Sequence, residues 1–250
     1  VEETPPDPGA FPGELLLVRS ETSQADGSAV VTFTTLHGRI GSALNIGAEL
    51  EEAIELRSNA ILANNGVMLG NRGFIVDPHH ATSHEEKIIR PIINGNDLLQ
   101  RNRRAHVIDF FGLSVDQARK QAPAAFERVL QLVKPERDAN RRASRRLNWW
   151  LFGEVMPKMR ASIRDLGRYI ATPETAKHRL FVFLAESVVP EHPLIAIALN
   201  DAFHLGVLSS HLHVVYSLAA GGRLGVGNDP RYNKSRCFDP FPFTDCTEKQ

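Results

Sequence analysis

RYIATPETAKHRLFVFLAESVVPEHPLIAIALN, Arg168 to Asn200, is the stretch on which the fold class turns. Tyr169–Ala171, RLFVFL and LIAIAL are short apolar runs, and the last two flank a proline-bearing turn, VVPEHP. They read as strands following one another with no helix between them. Along the whole chain, strands and helices mix without regular βαβ alternation. The expected class is therefore α+β: a mixed, largely antiparallel sheet with flanking helices and one long basic helix.

Downstream, Asn200 or Asp201 caps a helix through AFHLGVLSSHLHVVYSLAAGG, which Gly221 and Gly222 stop. Upstream, residues 157–166 form a short helix. Before it, PAAFERVLQLVKPERDANRRASRRLNWWLFGE from Pro123 is helix-forming and increasingly basic. Ser114 with Gln117 three residues on starts a further helix, and AHVIDFF, Ala105–Phe111, reads as a strand. IIRPIINGNDL is a set of short apolar pieces with a turn. Thr82 or Ser83, with Glu86 behind it, marks a helix start. AILANNGVMLGNRGFIVDP alternates apolar blocks with Asn-Gly and Arg-Gly turn signals, so hairpin-like strands are expected there. Leu50–Asn59 reads as a short surface helix, and ELLLVR with AVVTFTTL as two strands joined by a polar loop. Residues 1–13, rich in proline and acid, read as a flexible linker segment.

With 250 residues, 42% hydrophobic and 23% charged, the chain has the material for a sizeable core. Lys+Arg and Asp+Glu both total 29, so any argument for a polyanionic partner has to come from local clustering. The cluster exists: Arg128, Lys134, Arg137, Arg141, Arg142, Arg145 and Arg146 precede Trp149, against Glu127, Glu136 and Asp138. A solvated helix face is the plain reading of such a run. Arg145 and Arg146, however, have no acid within a turn before Trp149 and Trp150, and unpaired guanidinium beside indole suits phosphate and sugar. For at least one of the two tryptophans, anchoring the helix end in the core is the expected role.

Other chemistries find less support. GGRLGVGNDPRYNKSRCFDPFPF, Gly221–Phe243, resembles a nucleotide loop in composition. A phosphate loop needs a strand, then glycines, then a helix, whereas here a helix comes first and its C-terminal dipole has the wrong sign for an anion. His79, His80 and His84 lack conventional metal-ligand spacing, and His204, His211 and His213 lie on an apolar helix, so no metal site is expected. Cys237 and Cys246 form no CxxC and read as free thiols in a reducing cytoplasm. There is no GxSxG elbow. No run reaches the roughly 18 apolar residues of a membrane span, and the opening lacks the regions of a signal peptide.

RRAHVIDFFGLSVDQARKQAPAAFERVLQLVKPERDANRRASRRLNWWLFGE, RYIATPETAKHRLFVFL and LGVGNDPRYNKSRCFDPFPF, with NNGVMLGNRGFIVDP before them, resemble the target-recognition region of adenine-specific DNA methyltransferases. These are the bacterial type IIG and type IIL restriction-modification enzymes, which carry recognition and methylation in one polypeptide. The similarity runs from about residue 59 to 243 in ordered blocks. It implies a DNA target-recognition domain over 59–250, preceded at 14–58 by the end of a methyltransferase domain. The family's Asn-Pro-Pro-aromatic motif and its S-adenosylmethionine loop are absent. No catalytic residue and no cofactor are therefore expected in this chain, and S-adenosylmethionine is expected on the methyltransferase domain, of the same or a partner chain. KSRCFDPFPF also departs from the family's usual threonine-rich ending.

The resemblance implies double-stranded DNA as partner, a cytoplasmic location and no membrane. Within Gly221–Phe243, Gly225 and Gly227 let the backbone approach a groove. Asn228, Asp229, Arg231 and Asn233 supply edge-reading groups, since Arg suits guanine, Asn adenine and Asp the cytosine amine. Phe238, Phe241 and Phe243 with their prolines return the loop to the apolar body. Arg137, Arg141, Arg142, Arg145 and Arg146 are assigned to phosphates, as are Lys177 and Arg179 beside His178. Two other classes remain: a small-molecule enzyme using the histidines and Cys237, and a protein-interaction or degenerate remnant module.

Overall fold

The structure is a computed structural model, and it describes residues 12–24, 28–39, 50, 53–77, 87–224 and 229–243. The chain divides into two compact units, Val1–Ala53 and Ile54–Gln250. In the first, β1 (Pro12–Ser23) and β2 (Ala29–Arg39) form an antiparallel hairpin that opposes Leu15 to Leu36 and Val18 to Phe33. Both strands extend beyond the apolar runs that announced them. Polar cross-strand pairs carry the ladder onward, among them Ser20 and Thr32, whose hydroxyls are 2.7 Å apart.

The second unit opens with turns at residues 57–62 rather than the expected helix. Asn59 explains the difference: its amide is buried and donates to the carbonyls of Phe238, Asp239 and Phe241, at 3.2, 3.2 and 2.7 Å. Such an inward-facing residue suits a turn closed against the chain end, not a surface helix. β3 (Ala63–Asn65) follows, then a 3-10 turn at Arg72–Phe74 and β4 (Ile75–Val76). β3 and β4 do not pair with each other as a hairpin; among the described residues they are edge strands of two different sheets, β3 paired only with β10 and β4 only with β6, because those apolar strands lie beside them in the fold. The expected helix start at Thr82 or Ser83 lies outside the described residues.

β5 (Ile89–Ile93), α1 (Gly95–Leu99) and β6 (His106–Ile108) come next. α2 (Val115–Gln121) begins where Ser114 and Gln117 predict: the Ser114 hydroxyl accepts from Gln117 N, and the Gln117 side chain accepts from Ser114 N. The basic helix is not one helix. It is α3 (Pro123–Leu132), α4 (Lys134–Asp138) and α5 (Ala143–Leu147). Pro135 has no N–H to continue the ladder, and the Asn140 side chain accepts from Arg142 N at 3.0 Å, closing a turn between α4 and α5.

After α6 (Pro157–Ile163) come β7 (Arg168–Pro173), β8 (Val182–Ala185), β9 (Val189–Pro190) and β10 (Leu194–Ile197). The helix after Asp201 is also divided, into α7 (Ala202–Ser209) and α8 (His211–Ala220), because Ser210 caps the second by accepting from His213 N. β11 (Arg223–Leu224), β12 (Asp229–Pro230) and α9 (Lys234–Cys237) complete the described elements.

Two four-stranded sheets organise this unit. One, ordered β3-β10-β7-β8, is antiparallel throughout; the other, β4-β6-β5-β9, has one parallel pair, β5 with β9. All four residues of β10 and five of the six in β7 are buried, which is why they read as unbroken apolar runs rather than alternating ones. Successive side chains serve different cores. Tyr169, Ala171, Leu194 and Ala196 join the larger core with Phe126 and Trp149, while Ile170, Ile195 and Ile197 join a second with Tyr232 and Phe238. The α+β class and the mainly antiparallel pairing are as expected.

Candidate nucleic-acid interface

Residues 66–69 form the middle strip of a short ribbon. On one side, Val67 N donates to Pro190 O at 2.8 Å and His192 N to Val67 O at 2.9 Å. On the other, Met68 and Glu154 exchange backbone hydrogen bonds at 3.0 and 2.9 Å, and Gly153 N donates to Leu69 O at 3.0 Å. The strip thereby joins the turn before β10 to the segment that follows the basic helices.

Beyond the first edge lies Arg231. Its Nε donates to Glu174 Oε1 at 2.7 Å, and the other Glu174 oxygen is 3.3 Å from His192 Nε2. Glu174 is buried, but the Arg231 side chain remains 43% exposed, so the ion pair holds the guanidinium without hiding it. Next to His192 opens a groove of about 360 Å³ lined by Asn71, Arg72, Asn94, Arg103, Glu191 and His192. Arg103 is fixed there by both oxygens of Asp97, at 2.8 and 2.7 Å, and lies 3.4 Å from Glu191. Burial works against the Asp97 charge, yet the Arg103 bonds and the backbone N–H groups of Arg103 and Asn94 outweigh it and hold that carboxyl below the usual range. The groove offers donors and acceptors of several kinds side by side, the chemistry that base edges require. Its residues come from four separate segments and carry no local motif, so sequence reading missed them.

At the other edge stand the basic helices. Arg141 and Arg142 are exposed, and Arg145 is half-buried. Arg146 is exposed but turns back on the chain, donating to the carbonyls of Asn140 and Arg141 at 2.7 and 3.1 Å. Arg137 is 1% exposed and donates to Leu69 O at 2.9 Å, so it does not present the surface guanidinium expected of it. Burial lowers its pKa first, and the nearby Arg145 charge adds to this, while Glu136 opposes both. The tryptophans are structural. Trp149 packs edge-on against Phe126, with ring centroids 5.4 Å apart, and Trp150 Nε1 donates to Leu113 O at 3.0 Å.

Other expected site residues divide in the same way. Lys177 is exposed, and Asp229 is half-buried in β12. Arg179 turns inward, donating to the carbonyls of Pro173 and Pro230 with its guanidinium 5.1 Å from the Tyr232 ring centre; it fastens the loop rather than reaching out to phosphate. Asn233 is the N-cap of α9, accepting from Ser235 N and Oγ at 3.2 and 2.8 Å, which occupies the group expected to read a base. Gly225, Gly227 and Asn228 lie outside the described residues, as do His79, His80, His84 and Cys246. Phe238 and Phe241 are buried and Phe243 rests 5.4 Å from Phe241, the aromatic return expected of the loop.

His204, His213 and Cys237 make poor chemistry. His204 Nδ1 is 2.7 Å from Asp201 in a helix cap. His213 is buried, 3.0 Å from the Tyr232 hydroxyl, and burial followed by the Arg179 charge takes its pKa down to about 4. Burial pushes the Cys237 thiol up to about 11, away from the thiolate a nucleophile needs. Among the described residues, no three His, Cys, Asp or Glu converge to hold a metal, and no helix is long and apolar enough to cross a membrane.

Residues 73–245 match the family model of the MmeI target recognition domain. A solved structure of the Type IIL restriction-modification enzyme MmeI in complex with DNA is similar in fold, with a TM-score of 0.68 at 18% sequence identity. The match covers 89% of this chain and 30% of that one, so the chain spans under a third of the enzyme's length. No curated protein matches the sequence.

Proposed function

The chain belongs to the MmeI target recognition domain family, and from that premise we propose that it is the double-stranded-DNA recognition module of a restriction-modification enzyme. The observation that carries this reading is the arrangement along one ribbon: Arg231, Glu174 and His192 joined at one edge, the polar groove beside His192, and Arg137 and Arg145 against Leu69 and Gly153 at the other. Base reading belongs to the Arg231 end, with Asp229 beside it, and to the groove. Exposed Arg141, Arg142 and Lys177 and half-buried Arg145 bind phosphates. These set register and supply salt-dependent affinity without specifying bases.

On the same reading, the module positions an adenine-N6 methyltransferase domain, in this or a partner chain, and residues 14–58 belong to the end of that domain. S-adenosylmethionine would be held there. The sequence of this chain has no Asn-Pro-Pro motif, and no methyl-transfer step is assigned to its residues. A bacterial cytoplasm is the setting that fits such an enzyme.

Selection from randomised duplexes at two salt concentrations tests the function. A single consensus retained at both is the expected result, because base contacts survive the loss of counterion-driven affinity. Retention of sequences without any consensus, or no binding at low salt, would overturn it.

A further inference from the structure

Arg137 is almost wholly buried, yet only one of its three guanidinium nitrogens has a partner: Nη2 donates to Leu69 O, while Nε and Nη1 have none among the described residues. Arg145 stands close enough to disfavour the Arg137 charge, and its own Nε is likewise buried and unpartnered. Glu136 lies nearby, but its Oε2 accepts from Asn71 Nδ2 at 2.7 Å and no ion pair joins it to either arginine. Two like charges with unmet donors are a costly arrangement in the absence of an anion.

Two glycines lie against these guanidiniums on adjacent strands of the ribbon. A Cβ at Gly70 would sit 3.1 Å from Arg137 Nη2, 3.4 Å from its Nη1 and 3.5 Å from Gly153 Cα. A Cβ at Gly153 would sit 3.2 Å from Arg145 Nη2. Gly70 has a φ of +70° and is exposed, so bare backbone, with no side chain, separates the buried Arg137 guanidinium from the surface. The glycines let both guanidiniums pack close under the surface, where the half-buried Arg145 presents a planar fork that matches phosphate oxygens.

We propose that Gly70, Gly153, Arg145 and Arg137 form a built pocket for one phosphate oxyanion, a phosphodiester group of duplex DNA. Arg145 is the direct ligand, and Arg137 is the positioning cation behind it. The proposal rests on the DNA-recognition reading and adds a defined anchoring point to it. It turns the burial of Arg137 from an anomaly into a supporting charge.

The test compares wild type, Arg145→Gln and Arg145→Lys in duplex binding between about 50 and 200 mM salt. Arg145→Gln is expected to weaken binding to every sequence roughly tenfold and to lower the salt slope by about 0.9; Arg145→Lys, which keeps the charge, restores most of the slope. A second arm, without DNA, follows thermal unfolding with inorganic phosphate against chloride at matched ionic strength. Stabilisation of wild type that Arg145→Gln abolishes supports the pocket, whereas equal or absent stabilisation in both overturns it. Intact duplex binding with an unchanged slope in Arg145→Gln would overturn the pocket and leave the recognition function standing. Phosphate stabilisation that needs Arg145, in a wild type that binds no duplex, would overturn the recognition function and with it the phosphodiester assignment.

Discussion

One carboxylate, that of Glu174, holds Arg231 Nε at 2.7 Å through one oxygen and lies 3.3 Å from His192 Nε2 through the other. A half-exposed guanidinium fixed in this way keeps a defined direction, which bidentate recognition of guanine demands. Glu174→Gln retains the shape and removes the charge that aims Arg231. Discrimination at a single base pair should fall by about 1–3 kcal/mol, measured by competition with singly substituted duplexes. Equal loss at every position would instead assign Arg231 to the DNA backbone.

Arg141 and Arg142 are exposed on the turn between α4 and α5. Neutralising both as glutamines should lower the salt slope of duplex binding by about 0.9 for each phosphate left without its arginine, with the preferred sequence unchanged. An altered consensus would mean that these arginines read bases.

His213 predicts a pH dependence of stability. Its pKa of about 4 in the folded chain lies below the ordinary value, so the unfolded chain binds the extra proton first as pH falls. The contribution is complete above about pH 6.5, declines as pH drops towards 4 and changes no further below that, amounting to something on the order of 3 kcal/mol. Denaturant melts at several pH values should show this loss in wild type and a flatter profile over the same window in His213→Gln.

Asp109 and Arg160 form a buried pair, Oδ2 to Nη1 at 2.7 Å, and the Arg160 guanidinium lies 4.6 Å from the Phe111 ring centre. Asp109→Asn leaves a buried cation without its counter-charge and should cost about 3–5 kcal/mol in equilibrium unfolding. A cost under about 1 kcal/mol would place the pair in effective contact with solvent.

Local rules made part of this architecture legible. Ser114 with Gln117 marked a helix start because both halves of a capping box lie within four residues. The apolar runs around VVPEHP marked strands because a buried strand must be apolar on both faces. Length was harder to read. The basic stretch looked like one helix because its residues favour helix, but Pro135 and the Asn140 side chain interrupt the ladder at particular atoms. At the site, charge type was legible and direction was not. Arg137, Arg141 and Arg145 are alike in sequence, yet one is buried, one exposed and one half-buried, according to which face meets the ribbon.

Composition, caps, apolar runs and ordered motif blocks were enough, without coordinates, to determine the α+β class, the family and the arginine-rich character of the surface. Each of these depends on residues close in sequence. Tertiary structure alone decided that Arg179 and Asn233 serve the fold, that Arg231 is aimed by Glu174, and that Asn71, Arg72, Asn94, Arg103, Glu191 and His192 share one groove. These outcomes follow from pairings between segments tens of residues apart, such as residues 66–69 with both Glu191 and Glu154, which no local pattern encodes.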